Sequence, residues 1–130
     1  MKEVVIVTYS YWDFDQDKVR VDGLETYLYD LIGFINDGLN YDCIVYQSTD
    51  RSDLSVKNQG KTRIIPVSFP EISRKSYQFL FDEAFRVHGY SDAIFIVATD
   101  QMNVRSSADN VIAIQHGISW DIPYAMIHGF

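Results

Sequence analysis

Val4-Val5-Ile6-Val7, followed by a polar loop and then by Asp22-Gly23-Leu24-Glu25-Thr26-Tyr27-Leu28-Tyr29-Asp30-Leu31-Ile32, is the stretch that decides the fold. The first run is β-branched throughout and leaves no polar face, which predicts the first strand of a parallel sheet, covered on both sides. The chain runs from Ser10 to Asp22 before it turns back. Asp22 suits an N-cap, because its carboxylate can accept from free N–H groups of the first turn, and Glu25 three residues on completes a capping box. Leu24, Tyr27, Leu28, Leu31, Ile32 and Ile35 share one helical face, with Glu25, Asp30, Asn36 and Asp37 largely off it. Gly38 is predicted to end this helix as its C′ residue. A glycine that opens a helix after the first strand is where α/β proteins bind phosphate. The plainer reading of the same residues is a well-capped core helix.

Working outward, 130 residues with 47% apolar and 15% aromatic content suffice for one domain with its own core. A formal charge of -7 with scattered Lys and Arg argues against nucleic-acid binding, which needs clustered cations. No apolar run approaches the roughly 20 residues that span a bilayer, and the N-terminus lacks the apolar core of a secretory signal, so the expected location is the cytoplasm. Cys43 is the one cysteine and lies beside Ile44 and Val45, so it reads as a small buried hydrophobe. His88, His116 and His128 show no helical pairing of the zinc-hydrolase kind, and no metal site is expected.

Further along, Asp42-Cys43-Ile44-Val45-Tyr46 reads as a second strand and residues 48–61 as a polar loop. Arg63-Ile64-Ile65-Pro66-Val67 is a short third strand whose proline favours a sheet edge or a strand end. Residues 71–88 carry Tyr77, Leu80, Phe81, Ala84, Phe85 and Val87 at mainly helical spacing, with Gly89 as the stop. Ala93-Ile94-Phe95-Ile96-Val97 and Val111-Ile112-Ala113-Ile114 are two more apolar strands, separated by a polar segment from Thr99 to Asn110. Strands alternating with helices predict an α/β fold, a Rossmann-like parallel sheet flanked by helices, in a single domain over 1–130.

In such sheets ligands bind beyond the carboxyl ends of the strands, which directs attention to residues 10–23, 47–50, 98–103 and 115–121. Gln115-His116-Gly117-Ile118-Ser119-Trp120-Asp121 combines an imidazole, a flexible glycine, a hydroxyl, a large aromatic and a carboxylate directly after a buried strand. Imidazole offers a donor and an acceptor near neutral pH, and indole can stack on the apolar face of a sugar ring. The structural alternative is that His116 ends a strand and Trp120 fills core. Thr99 and Asp100 divide in the same way between ligand contact and helix capping. For His88 and His128 the structural role is preferred. Asp13, Asp15, Asp17 and Asp22 make the loop after the first strand acidic, which opposes a simple phosphate cradle and suits either solvation or recognition of hydroxyls.

The order of strand, loop, Gly23-Leu24-Glu25-Thr26-Tyr27-Leu28, helix and strand Ile44-Val45-Tyr46 resembles the N-terminal, acceptor-side domain of family-four retaining glycosyltransferases, where two glycines, an apolar residue and Glu open the first helix. Ile114-Gln115-His116-Gly117 resembles that family's strand ending in a histidine on the acceptor side of the cleft. The resemblance covers nearly the whole chain in order, through short motifs. It implies one half of a GT-B architecture, with the C-terminal nucleotide-sugar domain absent from this chain. It also implies a catalytic role for His116 and substrate-binding roles for Asp22, Gly23, Thr99, Asp100, Gly117 and Trp120. Gly23 matches the second glycine of the pair, while Asp22 stands where the first would be and sets a carboxylate against a diphosphate.

The implied function is transfer of a sugar from a nucleotide-sugar donor to a glycan or glycolipid acceptor, as in polysaccharide biosynthesis, by a longer protein of which this chain alone is inactive. The implied partners are the acceptor and the donor-binding domain, with association of the full protein at the inner face of the membrane. No cofactor is expected on this domain. The competing class is a non-catalytic α/β module that binds a ligand or regulates.

Overall fold

In the computed structural model, which describes residues 2–21, 23–68, 74–89, 92–98 and 111–114, Val4 to Val7 lie in strand β1 (Glu3–Thr8). The chain continues through β2 (Trp12–Asp13), β3 (Lys18–Val19), α1 (Gly23–Gly33), a π-helical turn (Phe34–Gly38), β4 (Asp42–Thr49), β5 (Lys57–Gln59), β6 (Thr62–Ser68), α2 (Arg74–His88), β7 (Ile94–Ala98) and β8 (Val111–Ile114). The main sheet is ordered β5-β6-β4-β1-β7-β8 and is parallel throughout, except that β5 runs antiparallel to β6. The fold is therefore α/β, a mostly parallel six-stranded sheet with two helices.

The β-branched run behaves as its composition requires. β1 pairs with β4 on one edge and β7 on the other. Its alternate side chains enter two separate cores. Val4 and Ile6 pack with Leu28, Ile32 and Ile35 of the first helical segment. Val5 and Val7 pack with Leu80, Phe81 and Ala84 of α2. One helix thus covers each face of the sheet. Fully burying such side chains stabilises a fold by about 1.5–3 kcal/mol each, so the central strand is the main apolar anchor of both layers.

Several local expectations are corrected. Glu25, expected off the buried face, is only 7% exposed, while Tyr27, expected on it, is 43% exposed. Gly38 is the last residue of the π-helical turn, and the left-handed residue beyond it is Asn40, with φ 58°. Leu39 N–H donates to the Phe34 carbonyl at 3.1 Å and Tyr41 N–H to the Ile35 carbonyl at 3.0 Å. A Cβ at 38 would stand 3.1 Å from the ring of the exposed Phe34, and Gly38 is not the left-handed residue of this turn. Asn tolerates the left-handed region better than other side-chain-bearing residues.

The polar stretch 48–61 is not all loop, because β4 extends to Thr49 and β5 forms a hairpin onto β6. Pro66 lies in the second strand from the edge, but β5 pairs only with Thr62 to Ile64, so beside Pro66 β5 lends no partner that would need its missing N–H. Gly89 ends α2 as expected: its N–H donates to the Phe85 carbonyl at 2.7 Å, and a Cβ there would stand 2.5 Å from that oxygen.

Cys43, on β4, is 1% exposed, and burial together with the neighbouring Asp42 carboxylate pushes its thiol up to about 12. Because the thiolate is the reactive form, an aromatic disulfide reagent at pH 8 is expected to modify the native chain about a thousandfold more slowly than free cysteine. Full reactivity should return across the urea unfolding transition. Fast modification of the folded chain would show that β4 is not enclosed as described.

Candidate functional site

Parallel strands deliver their carboxyl ends to one side of the sheet, and here Thr8 is in register with Ala98, and Ala98 with Ile114. The loop after β1 and the chain leaving β7 and β8 therefore begin at the same rim. Of the site residues read from the sequence, Gly23 opens α1. Asp22, Thr99, Asp100, His116, Gly117 and Trp120 lie outside the described residues.

The loop after β1 leaves Asp15 and Asp17 solvated, as one of the two expectations had it, but its first residues are buried. It contains a small antiparallel hairpin, in which Trp12 faces Val19 and Asp13 faces Lys18. Tyr11 and Trp12 are each 2% exposed and belong to the core on the α1 face. Burying these aromatics also buries their backbone, whose polar groups then need partners. Gln47, near the end of β4, supplies them. Its Oε1 accepts from Tyr11 N–H at 2.9 Å and from Trp12 N–H at 2.7 Å, while its Nε2 donates to the Trp12 carbonyl at 2.9 Å.

Next to it, the buried Ser48 hydroxyl donates to the Tyr9 carbonyl at 3.3 Å. Thr8, with no exposure, donates through Oγ1 to the Ser10 carbonyl at 3.3 Å. Ser10 Oγ in turn donates to Glu25 Oε2 at 3.2 Å, joining the end of β1 to the first turn of α1. Glu25 thus commits its carboxylate to Ser10, across the loop.

Ser10, Trp12, Asp13, Gln47, Ser48 and Arg51 are among the residues that line a cleft of about 360 Å³ beyond β1 and β4. A neighbouring cleft of about 290 Å³, which shares Asp13 and Arg20 with the first, reaches Glu25. The aspartates of the loop are engaged. Asp13 Oδ1 accepts from the N–H groups of Asp15 and Gln16, both at 3.0 Å, and the Gln16 bond leads in holding its carboxyl below the usual range. Asp15 pairs with Arg51 at 2.6 Å and Asp17 with Lys57 at 2.9 Å. Arg51 also forks onto Asp53, whose carboxyl it lowers. Such exposed pairs add little stability, but they remove negative charge from the rim.

The strand-end rule points to the windows that hold Ser10, Gln47 and Ser48, yet nothing in the sequence singles these residues out. Glu25 is missed, because helical periodicity assigns it to the solvent side.

His88 has the structural role preferred for it. It is 6% exposed, its Nε2 lies 2.9 Å from the Tyr46 hydroxyl, and its Nδ1 lies 3.8 Å from Glu3, at the amino end of β1. Burial lowers its pKa, with Glu3 opposing and Arg63 reinforcing. Among the described residues no cluster of three or more His, Cys, Asp or Glu is arranged to hold a metal ion, and no helix is long and apolar enough to cross a membrane. No known protein family, curated protein or solved structure matches this chain.

Two outcomes are expected. Gln47→Leu leaves three buried backbone groups without partners and should destabilise the chain by about 2–5 kcal/mol, at about 1–3 kcal/mol for each unpaired group less local relaxation. Urea unfolding checks this, and a loss under about 1 kcal/mol would mean that the loop holds itself. For His88, the folded pKa lies below the ordinary 6.5, so below that pH the unfolded chain binds more protons and stability falls. Between pH 7.5 and 5.5 the urea midpoint of the wild type should drop further than that of His88→Gln, whose amide keeps an acceptor for Tyr46. Equal drops would remove His88 as the source.

Proposed function

We propose that this chain is the Rossmann-like, acceptor-side domain of a retaining sugar transferase of GT-B architecture, acting on a glycan or glycolipid with a nucleotide-sugar donor. The observation that carries the reading is the order of the parallel strands. Counted along the chain as first to fifth, they lie 3-2-1-4-5 across the sheet. The order reverses between β1 and β7, and open α/β sheets bind ligands at such a reversal, outside the strand carboxyl ends.

On one side of that point lies the turn from β1 to α1, with Ser10, Gly23 and Glu25. On the other, the strand ends Ala98 and Ile114 are in register, and Thr99-Asp100 and Gln115-His116-Gly117 follow them directly in the chain. The resemblance of Gly23-Leu24-Glu25 and Ile114-Gln115-His116-Gly117 to the retaining glycosyltransferases fits both sides of the same crevice.

In this reading His116 touches the transferring sugar, offering a donor and an acceptor from one ring. Trp120 stacks on the acceptor, Thr99 and Asp100 bond its hydroxyls, and Gly23 and Gly117 let backbone approach closely. Asp22 adds a hydroxyl acceptor in place of a phosphate contact. A second domain supplies the donor wall, since one wall cannot hold two reactants in line.

The test is His116→Ala in the complete enzyme. Loss of polar contacts that tighten in the transition state should lower turnover by a factor on the order of 10², with little change in thermal unfolding. A variant that melts much earlier but turns over normally when folded would make His116 a structural residue, and the transferase reading would fall with it.

A further inference from the structure

We infer that Glu25 fixes the hydrogen-bonding polarity of Ser10, so that the cleft at the end of β1 takes ligand hydroxyls and turns phosphate away. The naming of a sugar as the source of those hydroxyls rests on the transferase reading above. The polarity itself follows from the hydrogen bonds alone.

A serine hydroxyl has one proton and two lone pairs, and a carboxylate can only accept. With Ser10 Oγ donating to Glu25 Oε2 at 3.2 Å, its proton is committed to the protein and only oxygen lone pairs remain for the cleft. The Ser10 carbonyl is occupied by Thr8 Oγ1, which holds the residue from its other end. Ser48, on the same cleft, commits its proton to the Tyr9 carbonyl in the same way. Gln47 has spent both ends of its amide on Tyr11 and Trp12.

Of the cations that line this cleft, Arg51 is held by Asp15 and Asp53, and Arg20 is an exposed guanidinium. The hydroxyls and the amide at the strand ends thus offer acceptors to the cleft, and among the side chains named here the open donors are confined to Arg20. A neutral polyol presents O–H groups to such a lining, whereas a phosphate brings more acceptors and negative charge.

Glu25→Gln inverts the arrangement, because its amide N–H₂ can donate to Ser10 Oγ and release the serine proton toward the cleft. Glu25→Asp draws the carboxylate back by one methylene and weakens the same bond while keeping the charge. The experiment titrates inorganic phosphate into the folded chain and follows the backbone amides of residues 9–12 and 23 by NMR, in the wild type, both Glu25 variants, Ser10→Ala and the double variant Glu25→Gln/Ser10→Ala. The wild type should show no saturable response at these amides. Glu25→Gln should bind phosphate at least about tenfold more tightly, by the gain of a hydrogen bond from a neutral donor to a charged acceptor, and Glu25→Asp should gain less in the same direction. The gain should vanish in the double variant.

Saturable phosphate binding at Ser10 in the wild type would overturn the inference. So would no gain in either Glu25 variant, or a gain that survives Ser10→Ala and so reflects charge alone. Should Glu25→Gln not fold, Glu25→Asp and the wild type decide. The titration involves neither a sugar nor turnover, so its failure strikes the Ser10 assignment and leaves the transferase reading to be judged on His116.

Discussion

β1 is enclosed on every side, and the rest of the chain is arranged by that constraint. Its two edges are taken by β4 and β7, and Val5, Ile6 and Val7 have no exposure at all. A strand with no solvated face must have a layer above and a layer below, and α1 and α2 provide them. Placing β1 in the middle also forces the chain to build outward twice, first through β4 and β6 and then through β7 and β8. Between those two directions the strand order reverses, which is the position where open α/β sheets in general bind ligands.

A second constraint acts at the rim. Tyr11 and Trp12 carry their own backbone into the core, and Gln47 satisfies it from the neighbouring strand. Left unpaired, those buried groups would cost about 1–3 kcal/mol each, a large part of what burying the aromatics contributes. The loop after β1 is consequently fastened to the sheet, with Ser48 and Thr8 adding bonds on the same stretch. A ligand that enters there meets groups already fixed in direction, which is the condition for selectivity among hydrogen-bonding partners.

The charge of the chain is spread differently from its composition. The formal net charge is -7, yet around the hairpin Asp17 is paired with Lys57, and Asp15 and Asp53 share Arg51. Asp13 is used by its own turn. The loop that reads as the most acidic part of the chain is in fact close to compensated. What distinguishes the cleft is the direction of its hydroxyls more than its net charge.

The sheet was legible in the sequence because strand identity depends on local composition. Val4 to Val7 and Ala93 to Val97 are continuous apolar runs whose burial needs no partner to be foreseen, whereas the equally apolar Val111 to Ile114, expected to be buried, forms the outer described strand β8 and leaves Ile112 52% exposed. The end of α2 at Gly89 was legible for a similar reason, since glycine is the residue that admits the closing contact with Phe85. What the sequence could not show depends on contacts between distant segments. The burial of Glu25 arises from Ser10, fifteen positions away, and the use of Gln47 arises from Tyr11 and Trp12 across the strand ends. The pairing of β5 with β6 makes a strand of residues too polar to announce one. Periodicity reports which face of a helix is apolar, and so it places a carboxylate outside by default. Only the folded chain, by bringing a hydroxyl within hydrogen-bonding reach, makes a buried carboxylate affordable.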